Sequence, residues 1–130
     1  MKVEDFLSNH NKRLNGKQIT KGDFNTLDTG LLSFPGIYII CDQDCNVKYI
    51  GSSYAFERTI GIRLRQYLSK SKTGNTLGNA LVREGYCKNL DEAVKIILDY
   101  KFIAFESKDL EYELISETPD LINYAGKRKN

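Results

Sequence analysis

Two tripeptides constrain this chain more than any other feature: Gly36-Ile37-Tyr38 and Tyr49-Ile50-Gly51. Each alone is ordinary strand text, rich in β-branched and aromatic residues. Together they predict the two strands of one hairpin, Gly36–Cys41 and Asn46–Gly51, joined by the turn-prone Asp42-Gln43-Asp44-Cys45. A turn centred between Gln43 and Asp44 sets Tyr38 opposite Tyr49, and Ile40 opposite Val47, on one face of the sheet. A slip of one residue would send one tyrosine to the other face. The spacing therefore brings two phenols side by side where a core ordinarily carries aliphatic groups. Taken alone, the hairpin reads equally well as core packing or as a site.

The rest of the chain supplies helices for that sheet. Val3–Leu14 is expected as a short helix with Val3, Phe6, Leu7 and His10 on one face. Gly16, Gly22 and Gly30 break the stretch up to the hairpin into loops, and Pro35 opens the hairpin. Past the loop Ser52-Ser53-Tyr54, a helix is expected over Phe56–Ser69, with Ile60, Leu64 and Leu68 as its buried stripe and Gly61 weakening it. Lys70–Asn75 is a polar loop, and Leu77–Glu84 a short helix stopped by Gly85. Asn89 caps the next helix, Leu90–Leu98. Tyr100–Phe105 is expected as a strand, Phe102 and Ala104 on one face, Ile103 and Phe105 on the other. A last helix starts at Ser107 or Asp109 and ends at Pro119. This order predicts an α+β fold, a small three-stranded antiparallel sheet flanked by helices.

Composition narrows the chemistry. The 130 residues suit a single domain spanning 1–130, and 41% apolar content suffices for one core. No apolar run approaches a membrane span and the N-terminus lacks a signal-peptide pattern, so a cytoplasmic protein with no membrane partner is expected. Cys41, Cys45 and Cys87 make no disulfide framework. His10 is the one histidine, which excludes Cys2His2 zinc fingers, histidine–metal nuclease motifs and a histidine general base. A net charge of +2 neither demands nor excludes nucleic acid.

Further matches occur in order along the chain. Arg63 and Tyr67 stand four residues apart and so share a helix face. Glu111 is followed by Leu114-Ile115, Pro119 and Asn123. The two tripeptides, this arginine–tyrosine pair and this glutamate pattern resemble the GIY-YIG nucleases, small metal-dependent domains that cut DNA. In that family an arginine follows the second tripeptide, with a histidine or tyrosine four residues later. Arg58 competes with Arg63, but Ile62 sits four residues after it; the choice of Arg63 implies a small insertion around Tyr54–Thr59. Glu106, Glu113 and Glu117 stand near Glu111, and only the downstream pattern selects Glu111. Ser52 occupies a position where some relatives carry a lysine. The resemblance covers Gly36–Asn123 and leaves residues 1–35 as an extension that packs on or extends the core.

The resemblance implies a DNA endonuclease with Tyr38, Tyr49, Arg63, Tyr67, Glu111 and Asn123 as its site. Phosphodiester hydrolysis needs an activated water, relief of charge on the phosphate and a stabilised leaving oxygen. Glu111 would hold one Mg²⁺ or Mn²⁺. Arg63 would donate to the non-bridging oxygens. Tyr38 would act as general base, as proposed for the family, with Tyr49 and Tyr67 orienting it, the water or the scissile phosphate, and Asn123 in support. Lys70, Lys72, Lys127, Arg128 and Lys129 are candidates for contacts to double-stranded DNA, as are Lys12, Arg13, Lys17 and Lys21. A chain this short has no room for a sizeable DNA-binding domain, so it is expected to be weakly specific, structure-selective, a homodimer or guided by a protein partner. Two rivals stay open. Asp99 with Glu106-Ser107-Lys108 resembles the carboxylate and E-x-K arrangement of another nuclease class, at a separation short for its usual two strands. A catalytically inactive DNA- or protein-binding module could also keep this fold.

Overall fold

The computed structural model describes residues 1–14, 18–53, 59–71, 73–107, 111–118 and 121–122, with the backbone alone at Tyr112. Along the chain run α1 (Val3–Asn9), α2 (Asn11–Leu14), β1 (Ile19–Asp23), β2 (Gly36–Cys41), β3 (Val47–Ser53), α3 (Ile60–Gln66), α4 (Thr76–Arg83), α5 (Leu90–Leu98), β4 (Lys101–Phe105) and α6 (Glu111–Glu117). Among the described residues the strands form one antiparallel sheet in the order β1-β4-β2-β3. The α+β class stands, but the sheet has four strands where three were expected. The additional strand, β1, lies in the stretch read as loops because of Gly22. Gly22 pairs directly with Phe102 on β4, and a Cβ there would come within 2.7 Å of the Phe102 Cζ. The phenyl ring of the inner strand covers the glycine, so an apparent strand breaker becomes the place where an aromatic ring lies flat on its neighbour.

The hairpin β2–β3 forms with a different register from the one expected. Its loop is Gln43-Asp44-Cys45, closed by the Asp42 N–H donating to the Asn46 carbonyl at 2.9 Å. The Cys45 N–H donates to the Asp42 carbonyl at 3.0 Å, and Cys45 takes the left-handed conformation with φ 64°. The Asp42 Oδ1 accepts from the N–H groups of Asp44 and Asn46. This is a three-residue loop with a left-handed last residue, not a two-residue turn. A bulge between Ile40 and Cys41 then leaves Lys48 as an additional residue on β3. Tyr38 therefore faces Gly51 and Ile40 faces Tyr49. Because the combined offset is even, Tyr38 and Tyr49 keep the same face, as diagonal rather than direct neighbours.

The sheet separates two apolar clusters. On one side Tyr38, Ile40, Phe102 and Ala104 meet Ile60, Leu64 and Tyr67 around α3, Leu77 and Leu81 of α4, and Ala93 and Ile97 of α5. On the other, Ile37, Ile39, Val47, Ile50, Ile103 and Phe105 meet Phe6 and Leu14 of the first two helices and Leu114 and Ile115 of α6. The alternation expected for Tyr100–Phe105 is realised: Phe102 and Ala104 face α3–α5, Ile103 and Phe105 face α6. Leu121 and Ile122 belong to opposite clusters, so this segment wraps round the outer edge of β3. There the Ile122 N–H donates to the carbonyl of the bulged Lys48 at 2.8 Å.

Helix ends obey their capping chemistry. Asn89 caps α5 as expected, its side chain accepting from the Glu92 N–H at 3.0 Å. The single helix expected over Val3–Leu14 is instead two, with His10 between them. The expected Phe56–Ser69 helix runs from Ile60 to Gln66, and residues 54–58 lie outside the described residues. Arg13 fastens α2 to α6: its guanidinium donates to both carboxylate oxygens of Glu117, at 2.7 and 2.9 Å. That fork is committed within the protein, whereas the sequence offered Arg13 for phosphate.

Candidate active site

The YIG glycine sets the position of the first phenol. A Cβ at Gly51 would clash with the Tyr38 ring, 2.4 Å from Cζ and Oη and 2.6 Å from Cε2. Only glycine lets that ring lie across β3 and carry its hydroxyl toward α3. There the Tyr38 hydroxyl is hydrogen-bonded to the Tyr67 hydroxyl, with the rings 5.9 Å apart and steeply inclined. Tyr49 approaches from β3, its ring 5.8 Å from that of Tyr67. Tyr38 is 1% exposed and Tyr67 fully buried, while Tyr49 is partly buried.

Arg63 and Tyr67 meet by helical spacing. Tyr67 is the C-cap residue of α3 and keeps a helical conformation, so the two side chains stand one turn apart. The Arg63 guanidinium sits 5.7 Å from the Tyr67 ring centre, and one of its nitrogens donates to Gln66 Oε1 at 2.9 Å. Burial lowers its affinity for the proton, but the oxygens of Tyr67 and Tyr38 outweigh this, and the guanidinium stays charged. The phenols shift the other way. Burial pushes Tyr38, Tyr49 and Tyr67 well above the ordinary tyrosine value; the charge of a neighbouring phenol adds to each, and at Tyr38 the hydrogen bond to Tyr67 offsets part of the rise. Arg63 pulls each back in part.

A buried asparagine holds this cluster from below. Asn75, fully buried, caps α4 by accepting from the Gly78 N–H at 2.8 Å. Its amide donates to the carbonyls of Tyr67, at 3.0 Å, and Ser69, at 2.7 Å. The open carbonyl end of α3 is thus tied to the N-terminus of α4. The next residue, Thr76, has its hydroxyl 3.2 Å from that of Tyr49. Neither Asn75 nor Thr76 was selected from sequence, although an asparagine ahead of Leu77–Glu84 is a capping signal that would have flagged the first.

Glu111 reaches the same strand from the other side. Ser52 follows Gly51 and points to the opposite face of β3, where its hydroxyl donates to Glu111 Oε2. Consecutive residues of an edge strand thus carry the Tyr38 ring and the Glu111 carboxylate. Ser52, weighed from sequence only as the place of an auxiliary phosphate contact, is the partner of this carboxylate. The structure brings Tyr38, Tyr49, Arg63 and Tyr67 into one cluster and sets Glu111 of α6 against Ser52 on the other face of β3. Lys70 is exposed and 3.4 Å from Asp91. Asn123, Lys72, Lys127, Arg128 and Lys129 lie outside the described residues. For the rival site, Asp99 and Glu106 flank β4 at opposite ends, roughly 20 Å apart at strand rise. Among the described residues no three His, Cys, Asp or Glu side chains are grouped to hold a metal. Also among them, no helix is long and apolar enough to cross a membrane.

A family model of the GIY-YIG catalytic domain matches residues 34–125, most of the chain. No curated protein and no solved structure matched it.

Proposed function

The chain belongs to the GIY-YIG catalytic-domain family, a family of nucleases, and we propose on that premise that it is a metal-dependent DNA endonuclease hydrolysing phosphodiester bonds. The observation that carries the reading is the joining of three phenols and one guanidinium in a single cluster on one face of the hairpin, with the Glu111 carboxylate of α6 hydrogen-bonded to Ser52 on the other face of β3.

Each side chain has a distinct role. Arg63, charged and in a low-dielectric setting, donates to the non-bridging phosphate oxygens and stabilises the charge that grows there. Tyr38 takes the proton of the attacking water. Tyr49 and Tyr67 orient Tyr38 through their hydroxyls, and Asn123 supports the site. Lys70, Lys72, Lys127, Arg128 and Lys129 contact the DNA backbone, which gives affinity rather than sequence choice.

The donor set suits a hard cation. One carboxylate, Glu111, with a serine hydroxyl beside it, fits a Mg²⁺ or Mn²⁺ ion that keeps most of its water shell, and offers neither the thiolates nor the imidazoles that zinc prefers. Glu111 would hold that single ion, which when bound would neutralise charge on the phosphate and leaving oxygen. Ser52 fixes the carboxylate orientation by donating to one of its oxygens.

Supercoiled plasmid with Mg²⁺ tests the reading. The protein should nick or linearise it, EDTA should abolish cutting, and Glu111→Ala and Arg63→Ala should cut about a hundredfold more slowly or worse while still folded. Cutting that survives Glu111→Ala but is lost on Glu106→Ala would overturn the site assignment. DNA binding with no cleavage under Mg²⁺ or Mn²⁺ would make the protein a binding module instead.

A further inference from the structure

Residues 1–14 lie outside the stretch matched by the family model, yet they reach the helix that bears the carboxylate read as the metal ligand. That helix, α6, has seven residues, about two turns. A helix so short is marginal in water on its own and stands where its neighbours hold it. Its Leu114 and Ile115 are buried in the same apolar cluster as Phe6 and Leu14. Its two ends are tied by side chains. The first residue, Glu111, accepts from the Ser52 hydroxyl on β3. The last, Glu117, accepts both prongs of the Arg13 guanidinium, at 2.7 and 2.9 Å.

The second tie answers a conflict within the helix sequence. The C-terminal end of a helix carries partial negative charge and favours a cation. α6 ends instead on a glutamate and has no basic residue in its last turn. Arg13 brings the missing cation from α2, and its guanidinium also stands 4.0 Å from Glu113, one turn back. His10, 4% exposed, lies 3.6 Å from Glu117 Oε2, with its Nδ1 3.3 Å from Arg13. Burial disfavours the charged imidazole, so among the described residues Arg13 supplies the charge at this end. Without Arg13 the last turn keeps two carboxylates and loses the cation between them. In a helix of two turns, unwinding at the last residue loosens the first.

Resting on the nuclease reading above, we propose that Arg13 is a positioning residue for the Glu111 carboxylate. By closing the C-terminal end of α6 it fixes Glu111 against Ser52, and so a segment ahead of the family domain sets the affinity for the ion.

Mn²⁺ binding to the protein alone, read from the electron paramagnetic resonance of the free ion, tests this. The variants are Arg13→Gln, Glu117→Gln and the exchanged pair Arg13→Glu with Glu117→Arg; Glu111→Ala marks loss of the seat. Arg13→Gln, which leaves the terminal acid uncompensated, should bind Mn²⁺ about three- to tenfold more weakly than the wild type. Glu117→Gln removes that acid along with the tie and should fall between the two. The exchanged pair restores the contact and should return to within about twofold of the wild type. In single-turnover plasmid cleavage by Arg13→Gln, the Mg²⁺ needed for half the maximal rate should rise by the same factor. Its rate at saturating Mg²⁺, and its plasmid affinity in Ca²⁺, should stay within about twofold. Wild-type Mn²⁺ affinity in Arg13→Gln would overturn the proposal: a fall in stability alone marks a structural tie, and a fall in plasmid affinity alone marks a phosphate contact. An exchanged pair as weak as Arg13→Gln would overturn it too, as would Glu111→Ala binding as well as the wild type. If the wild type holds Mn²⁺ through Glu111 but cuts no plasmid, the nuclease reading falls, and the Mn²⁺ affinities alone decide the role of Arg13.

Discussion

Gly51 shows how much one missing methyl group decides. It pairs with Tyr38 across the hairpin, and the phenol ring occupies the space a Cβ would need. Gly51→Ala must therefore displace the ring that carries the proposed base. We expect a loss of about 1–3 kcal/mol in urea unfolding, as for other overpacked cores, together with a fall in cleavage. A variant that keeps both full stability and full cleavage would show that the ring does not need this path. Tyr38 and Tyr49 were placed on one face by the hairpin pattern and Tyr67 beside Arg63 by helical spacing, whereas Arg63 and Glu111 were selected among neighbouring candidates by the family resemblance. Neither route gives Ser52 and Thr76 their partners, because each enters through a contact between residues far apart in the chain.

Among the elements, α4 is tied to the site by its cap. Asn75 makes three hydrogen bonds inside the core: it accepts from Gly78 and donates to the last carbonyls of α3. Asn75→Ala removes the cap and leaves the buried Tyr67 carbonyl and the partly buried Ser69 carbonyl without their donor, a cost of about 2–4 kcal/mol in denaturant unfolding. Asn75→Asp restores the cap alone and should recover only part of it. The expected strands and helices survive largely in place, since apolar alternation and capping asparagines act over a few residues. Besides the division of the first helix, two elements departed from expectation for one reason. The strand β1 was hidden by Gly22, and the hairpin register by the left-handed Cys45 and the bulged Lys48. In each case the decisive partner lies elsewhere in the sequence: Phe102 covers the glycine, and the Ile122 N–H takes the Lys48 carbonyl.

At the scale of the molecule, residues 1–14 pack on the sheet face that also seats α6, and their titrating groups shape the pH response. Burial lowers His10 below its ordinary value of 6.5, more strongly than nearby Glu117 raises it. The fold therefore favours the neutral ring, and its contribution is full above about pH 6.5 and lost as the pH falls below it. Glu117, hydrogen-bonded by Arg13, is lowered from 4.5, so its contribution is present above that value and is lost on further acidification. The three phenols are raised above 10, so folding loses stability as the pH rises past that value. Burial also pushes the Cys41 thiol up from 9.0 to about 11, so the melting temperature should form a plateau between about pH 7 and 8.5 and fall on both sides. His10→Gln should flatten the first acid limb; an unchanged limb would assign it to another group. The sequence by itself determined the α+β class and the two strands of the hairpin, which rest on periodicity and turn residues within short windows, while Arg63 and Glu111 were picked out among neighbouring candidates by the family resemblance. Only the tertiary structure decided that Tyr38 lies across Gly51, that Tyr67 joins the phenols above Asn75, and that Glu111 meets the strand through Ser52. The physical reason is that a side chain's neighbours are fixed by strand register and by the packing of distant elements, and one residue in a left-handed turn is enough to move them.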